Sequence, residues 1–284
     1  LVLRQAAPYL AGMTQVHGHR GGEGPWPENT VPAFTGSMAT GCHGLELDVV
    51  LTGDGEVLVS HEPWMDARSC LAPDGRRISD AEGREANIFR MSLEEAQRWA
   101  CLPQADAPYK LPQVPKPTLA EVVHAVRAEA ERTGRSVPKL IIEVKSEAGH
   151  YGIYQPLPTV LAQAVHRQVE ALGIAENGIV QSFDHAVLEH MHALAPALPL
   201  ALLAEEKVAD GKEFARLGFV PAYYGPMHVH VDERLLARLR DQGAGVLAWT
   251  VNGANEMRRC IAMGVEGLIT DRPALAMRLL AKAH

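Results

Sequence analysis

The chain has 284 residues, 47% hydrophobic and 21% charged, enough for one large domain or two small ones. Its formal charge of −7 and its lack of any lysine- or arginine-rich run exclude nucleic acid as a principal partner, because binding a phosphate backbone needs a basic surface. A small anionic substrate stays compatible, since Arg20 and Lys145 can offset the global charge locally. No apolar run nears the roughly eighteen residues of a transmembrane segment, and residues 1–13, mildly apolar, lack the basic-then-apolar layout of a signal peptide.

Short β-branched or apolar runs alternate with stretches whose apolar residues recur every three or four positions, as Val122, Val123 and Val126 do. Taken in order, the pattern predicts strands at 15–20, 45–50, 140–144, 179–183, 200–203, 222–225, 246–250 and 267–270. Helices are expected at 31–40, 119–133, 159–172, 186–194, 212–217, 233–242, 254–263 and 273–281. Gly41, Gly134, Gly173, Gly218, Gly243 and Gly264 supply C-terminal caps. Eight strand–helix units predict an α/β fold, a (β/α)8 TIM barrel, occupying residues 1–284 as a single domain.

One stretch breaks the alternation. Thr52-Gly53-Asp54-Gly55 is a turn signal between two extended runs, so 45–51 and 56–61 should form a hairpin. With the turn centred between Gly53 and Asp54, Glu46 lies opposite His61. The segment from this turn to about residue 117 reads as a small capping insertion at 53–117, with a helix at 93–100 and a proline-rich end at Pro112, Pro115 and Pro117. Cys70 and Cys101 share this insertion. They read either as two small buried apolar residues or as a disulfide tying the insertion together. The first reading fits a cytoplasmic protein, the second a periplasmic or other extracytoplasmic one. With Cys42 and Cys260 they form no C-x-x-C pair, which argues against structural zinc.

In such a barrel, side chains at strand C-terminal ends face the active site. His19 and Arg20 end the first strand, Glu46 and Asp48 share one face of the second at i, i+2, and Glu143 and Lys145 share one face of the third. Trp249 ends the seventh strand as a candidate pocket wall, followed by Asn252, and Asp271 follows the eighth; Tyr223 and Tyr224 read as core. Glu46, Asp48 and Glu143 make an oxygen-only donor set suited to a hard divalent cation, Mg²⁺ or Ca²⁺. The competing reading, an ion-pair network with Arg20 and Lys145, leaves one negative charge over. His19 and His61 supply a proton acceptor and a proton donor, whereas His124, His166, His190 and His192 fall on helices as surface or packing residues. Arg20 either forms a structural salt bridge or clamps an anionic oxygen. In Pro27-Glu28-Asn29-Thr30, Asn29 or Thr30 can cap the next helix, with Pro32 in its first turn, and Glu28 or Asn29 can reach the site as a substrate contact. Gly21-Gly22-Glu23-Gly24 lacks the spacing of a nucleotide-binding loop.

At these residues the sequence resembles the glycerophosphodiester phosphodiesterase family. The matching text is His17-Gly18-His19-Arg20-Gly21, Pro27-Glu28-Asn29-Thr30, Glu46-Leu47-Asp48-Val49, Ser60-His61, Glu143-Val144-Lys145, Gln181-Ser182-Phe183-Asp184, Trp249-Thr250-Val251-Asn252 and Thr270-Asp271. The resemblance implies a metal-dependent barrel enzyme that cleaves glycerophosphodiesters to glycerol 3-phosphate and an alcohol. Glu46, Asp48 and Glu143 would hold the cation, Arg20 and Lys145 the phosphoryl oxygens, and His19 and His61 would act as base and acid. It further implies initial attack by the substrate's own glycerol hydroxyl, giving a cyclic phosphate that water opens. The family usually places aspartate after its second histidine; here Glu62 follows His61, so no hydrogen-bonding role is carried over to that carboxylate.

Three other functions compete. A related barrel phospholipase acting on lysophospholipids or sphingolipids would need an apolar capping insertion, against which Asp74-Gly75-Arg76-Arg77 argues. A glycosidase using two of the acids would leave Lys145 unexplained. A non-catalytic scaffold would have lost a histidine or a carboxylate.

Overall fold

The computed structural model describes residues 13–22, 24–102, 113–208 and 212–283. The chain enters through β1 (Gln15–Gly18) and α1 (Val31–Met38), then pairs β2 (Gly44–Leu51) with β3 (Val57–Val59) as a hairpin. The insertion comes next: β4 (Cys70–Leu71), α2 (Asp80–Glu85), α3 (Leu93–Gln97) and β5 (Ala100–Cys101). Strands and helices then alternate through α4 (Leu119–Thr133), β6 (Lys139–Val144), α5 (Pro158–Ala171), β7 (Gly178–Ser182), α6 (His185–Leu194) and β8 (Leu200–Ala204). The chain closes with β9 (Tyr223–Pro226), α7 (Glu233–Gln242), β10 (Gly245–Ala248), α8 (Ala254–Met263), β11 (Gly267–Thr270) and α9 (Pro273–Leu280). Parallel pairing runs β1–β2–β6–β7–β8–β9–β10–β11 and returns from β11 to β1, so the sheet is the closed eight-stranded barrel expected. None of the described helices is long and apolar enough to cross a membrane.

Alternation along the strands sorts the side chains. Leu45, Leu47 and Val49 of β2 join Val122, Val126 and Val165 from the helices in the large core outside the barrel. Glu46 and Asp48 point inward, level with Ile141 and Glu143 of β6. At mid-height the interior is apolar, built from Ile141, Ile179, Tyr223, Leu247 and Ile269. Below it the His17 imidazole fills the floor. A Cβ on Gly44 would lie 2.3 Å from His17 Nδ1, and one on Gly267 would lie 2.9 Å from Nε2. The two glycines therefore make the room that the ring occupies.

Several expectations need correction, among them the helix expected at 93–100, which ends at Gln97 before β5. Residues 212–217 are turns rather than a helix, held by Ala215 N–H to Lys212 O at 3.2 Å and Leu217 N–H to Phe214 O at 3.0 Å. Phe214, Leu217, Phe219 and Val220 are buried, so helix-like spacing serves successive turns instead, and Gly218 caps nothing. The first strand stops at Gly18, and His19–Gly21 form a 3₁₀ turn with Arg20 at φ 51°. The hairpin register is also displaced by one residue. Its loop is Gly53-Asp54-Gly55, with Gly55 at φ 91°, and the pairs are Val49–Val59, Val50–Leu58 and Leu51–Val57. The last cross-strand bond runs from Ser60 N–H to Asp48 O at 3.0 Å, so His61 is not opposite Glu46 but just past the end of the ladder.

The insertion has a small core of its own, with Val50, Leu58, Met65, Cys70, Ile88 and Ala96. Capping boxes at Ser79/Glu82 and Ser92/Glu95 start its two short helices. At its base Leu58 bridges Thr118, and Val59 N–H donates to Pro117 O at 2.8 Å. Residues 103–112, including Pro112, and residues 1–12 lie outside the described residues. Cys70 and Cys101 stand opposite each other across β4 and β5, both buried and with no bond drawn between their sulfurs.

Candidate active site

At the C-terminal mouth of the barrel Glu46, Asp48 and Glu143 converge. One oxygen from each lies within 4.8 Å of the others, and all three residues are buried. Asp48 and Glu143 are register partners on neighbouring strands, and Glu46 is two residues below Asp48, so the sheet itself sets the cluster. Burial and the adjacent Asp48 push Glu46 up to about 8. Burial acts on Asp48 in the same direction, but Arg20 and Lys145 outweigh it and hold Asp48 at about 2. Asp48 Oδ1 is buried without a hydrogen bond, with Lys145 Nζ 3.8 Å away. A raised Glu46 and an orphaned Asp48 oxygen are what a missing positive charge leaves, so the donor set fits a divalent cation.

Two residues in unusual backbone conformations support the cluster. Arg20 at φ 51° and Asn29 at φ 58° are the non-glycine residues with positive φ among those described, a conformation costing on the order of 1–3 kcal/mol each. Their backbones are joined, Asn29 N–H donating to Arg20 O at 2.9 Å. Arg20 N–H donates to Glu46 Oε2 at 3.1 Å, while its guanidinium Nε sits 3.0 Å from Asp48 Oδ2 and its NH1 3.0 Å from Glu28 Oε1. The Asn29 amide donates to Asp48 Oδ2 at 2.8 Å and accepts from Asp48 N–H at 3.3 Å. Asn29 is therefore spent on aiming Asp48 and caps no helix. Thr30, the N-cap of α1, uses its hydroxyl on Pro27 O at 2.6 Å. Lys145 Nζ contacts Glu143 Oε1 at 2.7 Å.

Each of the two histidines is held by a carboxylate of its own. His19 Nδ1 lies 2.6 Å from Asp271 Oδ1, and its Nε2 is turned towards Glu46 Oε2, 4.0 Å away. Asn252 fixes Asp271 in turn, donating to Oδ2 at 2.6 Å and accepting from Asp271 N–H at 2.9 Å. Burial works against a charge on His19, but the Asp271 hydrogen bond and Glu46 outweigh it and raise its pKa. Burial likewise opposes the Asp271 charge, and His19 more than compensates, holding that carboxyl below its usual range. His61 Nδ1 lies 3.0 Å from Glu62 Oε1, and this bond keeps Glu62 low. The longer glutamate thus does reach the ring, contrary to the expectation that its role would not carry over. In both pairs Nδ1 is occupied and Nε2 is left for chemistry.

His61 separates two cavities. One, of about 210 Å³, is lined by Arg20, Glu28, Asn29, Arg68 and Lys116 among others; the other, of about 330 Å³, by Glu143, Lys145, His150 and Phe183 among others. A larger cavity of about 540 Å³ lies beside Thr14, at the foot of β1, and its described lining includes neither a carboxylate nor a histidine. Trp249 adjoins the interior cluster, donates its indole N–H to Gly225 O at 2.7 Å and meets Phe183 edge-on at 5.5 Å. Gln181, present in the sequence motif without a role, donates to Glu46 Oε1 at 3.2 Å from inside β7. Its inward register beside Glu143 is the signal that could have found it.

A model of the glycerophosphoryl diester phosphodiesterase family matches residues 19–275. A glycerophosphodiester phosphodiesterase of Caldanaerobacter subterraneus subsp. tengcongensis is 28% identical over 270 residues, covering 95% of this chain and 98% of the relative. Among solved structures, a putative glycerophosphoryl diester phosphodiesterase from Silicibacter pomeroyi superposes with a TM-score of 0.82 at 25% identity, covering 98% of this chain and 96% of that one. A phosphodiesterase of Oleispira antarctica, solved in complex with the product sn-glycerol-3-phosphate, superposes with a TM-score of 0.73 at 21% identity over 95% and 97% of the two chains.

Proposed function

This chain belongs to the glycerophosphoryl diester phosphodiesterase family, and we propose that it hydrolyses glycerophosphodiesters to glycerol 3-phosphate and an alcohol with the residues assembled at the barrel mouth. The observation that carries the reading is a buried three-carboxylate set at the barrel mouth together with two carboxylate-held histidines, His19 beside Glu46 and His61 lining cavities with Arg20 and Glu143. The product held by the Oleispira antarctica relative is the one this reaction would release. A divalent cation, Mg²⁺ or Ca²⁺, held by Glu46, Asp48 and Glu143 would neutralise charge on the phosphoryl oxygens as a Lewis acid.

The protein's own groups do the rest. Arg20 and Lys145, already beside Asp48 and Glu143, each keep donors with which to bind the phosphoryl oxygens of the diester. We assign His19 Nε2 as the base that takes the proton of the attacking glycerol hydroxyl, with Asp271 stabilising the imidazolium that forms. His61, bordering the 210 Å³ cavity, protonates the departing head-group alkoxide as its bond to phosphorus breaks. The attack leaves a cyclic phosphate, and the same histidines with exchanged roles let water open it. Asn29 acts on Asp48 and borders the cavity where the head group would lie, and Trp249 braces Phe183 at the wall of the other cavity.

The test is a coupled assay for glycerol 3-phosphate with glycerophosphocholine as substrate, before and after treatment with EDTA. Activity should vanish on chelation and return with Mg²⁺ or Ca²⁺. Undiminished turnover in metal-free buffer would remove the carboxylates from the cation role. Release of phosphocholine instead of choline would refute the proposed bond cleavage. Faster turnover of lysophosphatidylcholine would move the activity to a lysophospholipase.

A further inference from the structure

The 210 Å³ cavity contains a cation that the proposed chemistry does not use. Lys116 is buried, with 8% of its surface exposed, and it lines this cavity together with His61 and Arg20. Its backbone is tied on both sides: Val114 O accepts from Cys101 N–H at 2.7 Å, and Pro117 O accepts from Val59 N–H at 2.8 Å. The side chain is therefore delivered to the cavity by a fixed segment. Among the described residues Lys116 Nζ forms no ion pair and no hydrogen bond; the bond that Gln97 donates to this residue goes to its carbonyl.

The carboxylates that share the cavity are committed elsewhere. Glu28 pairs with Arg20 at 3.0 Å, Glu62 with His61 at 3.0 Å and Asp66 with Arg68 at 2.8 Å. Lys116 thus lines the cavity with no carboxylate of the described residues at ion-pair distance. Burial works against its charge, yet the neighbouring Cys70 and Cys101 with Glu28 and Asp66 outweigh burial and keep its pKa above that of a free lysine. The ammonium is therefore kept charged at the cavity wall, with donors not taken by any described residue. An incoming anion can pair with it without displacing an existing contact.

We infer that Lys116 is a specificity-determining residue that receives an anionic group, carboxylate or phosphate, carried on the head-group alcohol of the diester. The inference rests on the phosphodiesterase reading above and on the head group leaving on the His61 side. It makes the insertion the selector of the alcohol, while the barrel handles the phosphodiester.

Two matched substrate pairs test it. Glycerophosphoserine and glycerophosphoethanolamine differ by one carboxylate; glycerophosphoinositol with and without a phosphate on its ring differ by one phosphate. The wild-type protein should favour the anionic member of at least one pair in kcat/KM by about 10- to 100-fold, the range of a charge-assisted contact. Which pair responds tells carboxylate from phosphate. Lys116→Met should reduce that ratio at least tenfold, and Lys116→Arg should keep most of it. A ratio unchanged in Lys116→Met, or a wild-type ratio near one in both pairs, overturns the inference. The wild-type ratio decides on its own should Lys116→Met not fold. Hydrolysis of all four diesters at equal efficiency overturns this inference alone; hydrolysis of none overturns the phosphodiesterase reading with it.

Discussion

His17 and His19 sit two residues apart, on β1 and on the turn after it, and burial acts to lower the pKa of both. At the floor of the barrel nothing reverses that effect: His43 and Lys139 push in the same direction, and His17 falls to about 3. At the mouth, Asp271 and Glu46 overcome it and His19 rises. The same side chain is thus a neutral packing element at one end of a strand and, at the other, a ring whose proton affinity is raised, as the proposed role in proton transfer needs. What separates them is whether carboxylates from other strands arrive at that height.

The contrast can be broken or sharpened by substitution. His19→Ala and His61→Ala should each lower turnover by on the order of 10²–10⁴, measured with any diester the wild-type protein accepts; near-wild-type rates in either would strike that histidine from the mechanism. A smaller effect is expected from the supporting carboxylates. Asp271→Asn should cost roughly 10- to 100-fold in kcat, as loss of an outer orienting partner does. Glu62→Gln should cost less, because its contact with His61 is the longer, 3.0 Å against 2.6 Å, and the His61 ring is the more exposed, 32% against 18%. Equal losses would mean that the two histidines are held with equal stringency.

The smallest effect concerns stability at the floor. His17 binds a proton in the unfolded chain below about pH 6.5 but not in the folded one until about pH 3. Stability should therefore be flat above pH 6.5 and fall as the pH drops through the interval between the two values. The expected loss is about 2 kcal/mol by pH 5, and His17→Asn should remove that component. Urea denaturation of both proteins at pH 7 and pH 5 measures it, and the same pH slope in both would show that His17 stays charged inside the barrel.

Much of this arrangement is legible in the sequence because it comes from periodicity. The i, i+2 spacing of Glu46 and Asp48, and of Glu143 and Lys145, fixes a shared face wherever the strands go. Closing the barrel then brings those faces together. Elsewhere, local pattern and tertiary packing diverge. The apolar spacing at 212–217 is compatible with a helix, and only the burial of Phe214 and Leu217 in successive turns decides otherwise. The hairpin register depends on whether Gly55 belongs to the loop or to the strand, a choice made by its backbone conformation rather than its neighbours. Glu62 and Asp271 are harder to read as partners of histidines, since hydrogen bonds between side chains leave no periodic trace.

The stitch at the base of the insertion also sets where the molecule can be divided. Because Leu58 bridges Thr118 and Val59 N–H meets Pro117 O, the chain leaves and re-enters the barrel at nearly one point, a short neck, and the described part of the intervening segment meets the barrel again through Asn87 and Trp64 at the loop of Ile153 and Tyr154. An insertion with such a neck is open to exchange: another loop of different length could be grafted on the same neck without altering barrel closure. The neck is not the natural cutting point, however, because His61 and Glu62 lie just beyond it. A graft that kept 60–62 and 117–118 would carry over His61 and replace the rest, Lys116 included, changing which alcohol is accepted while leaving the proposed reacting groups in place.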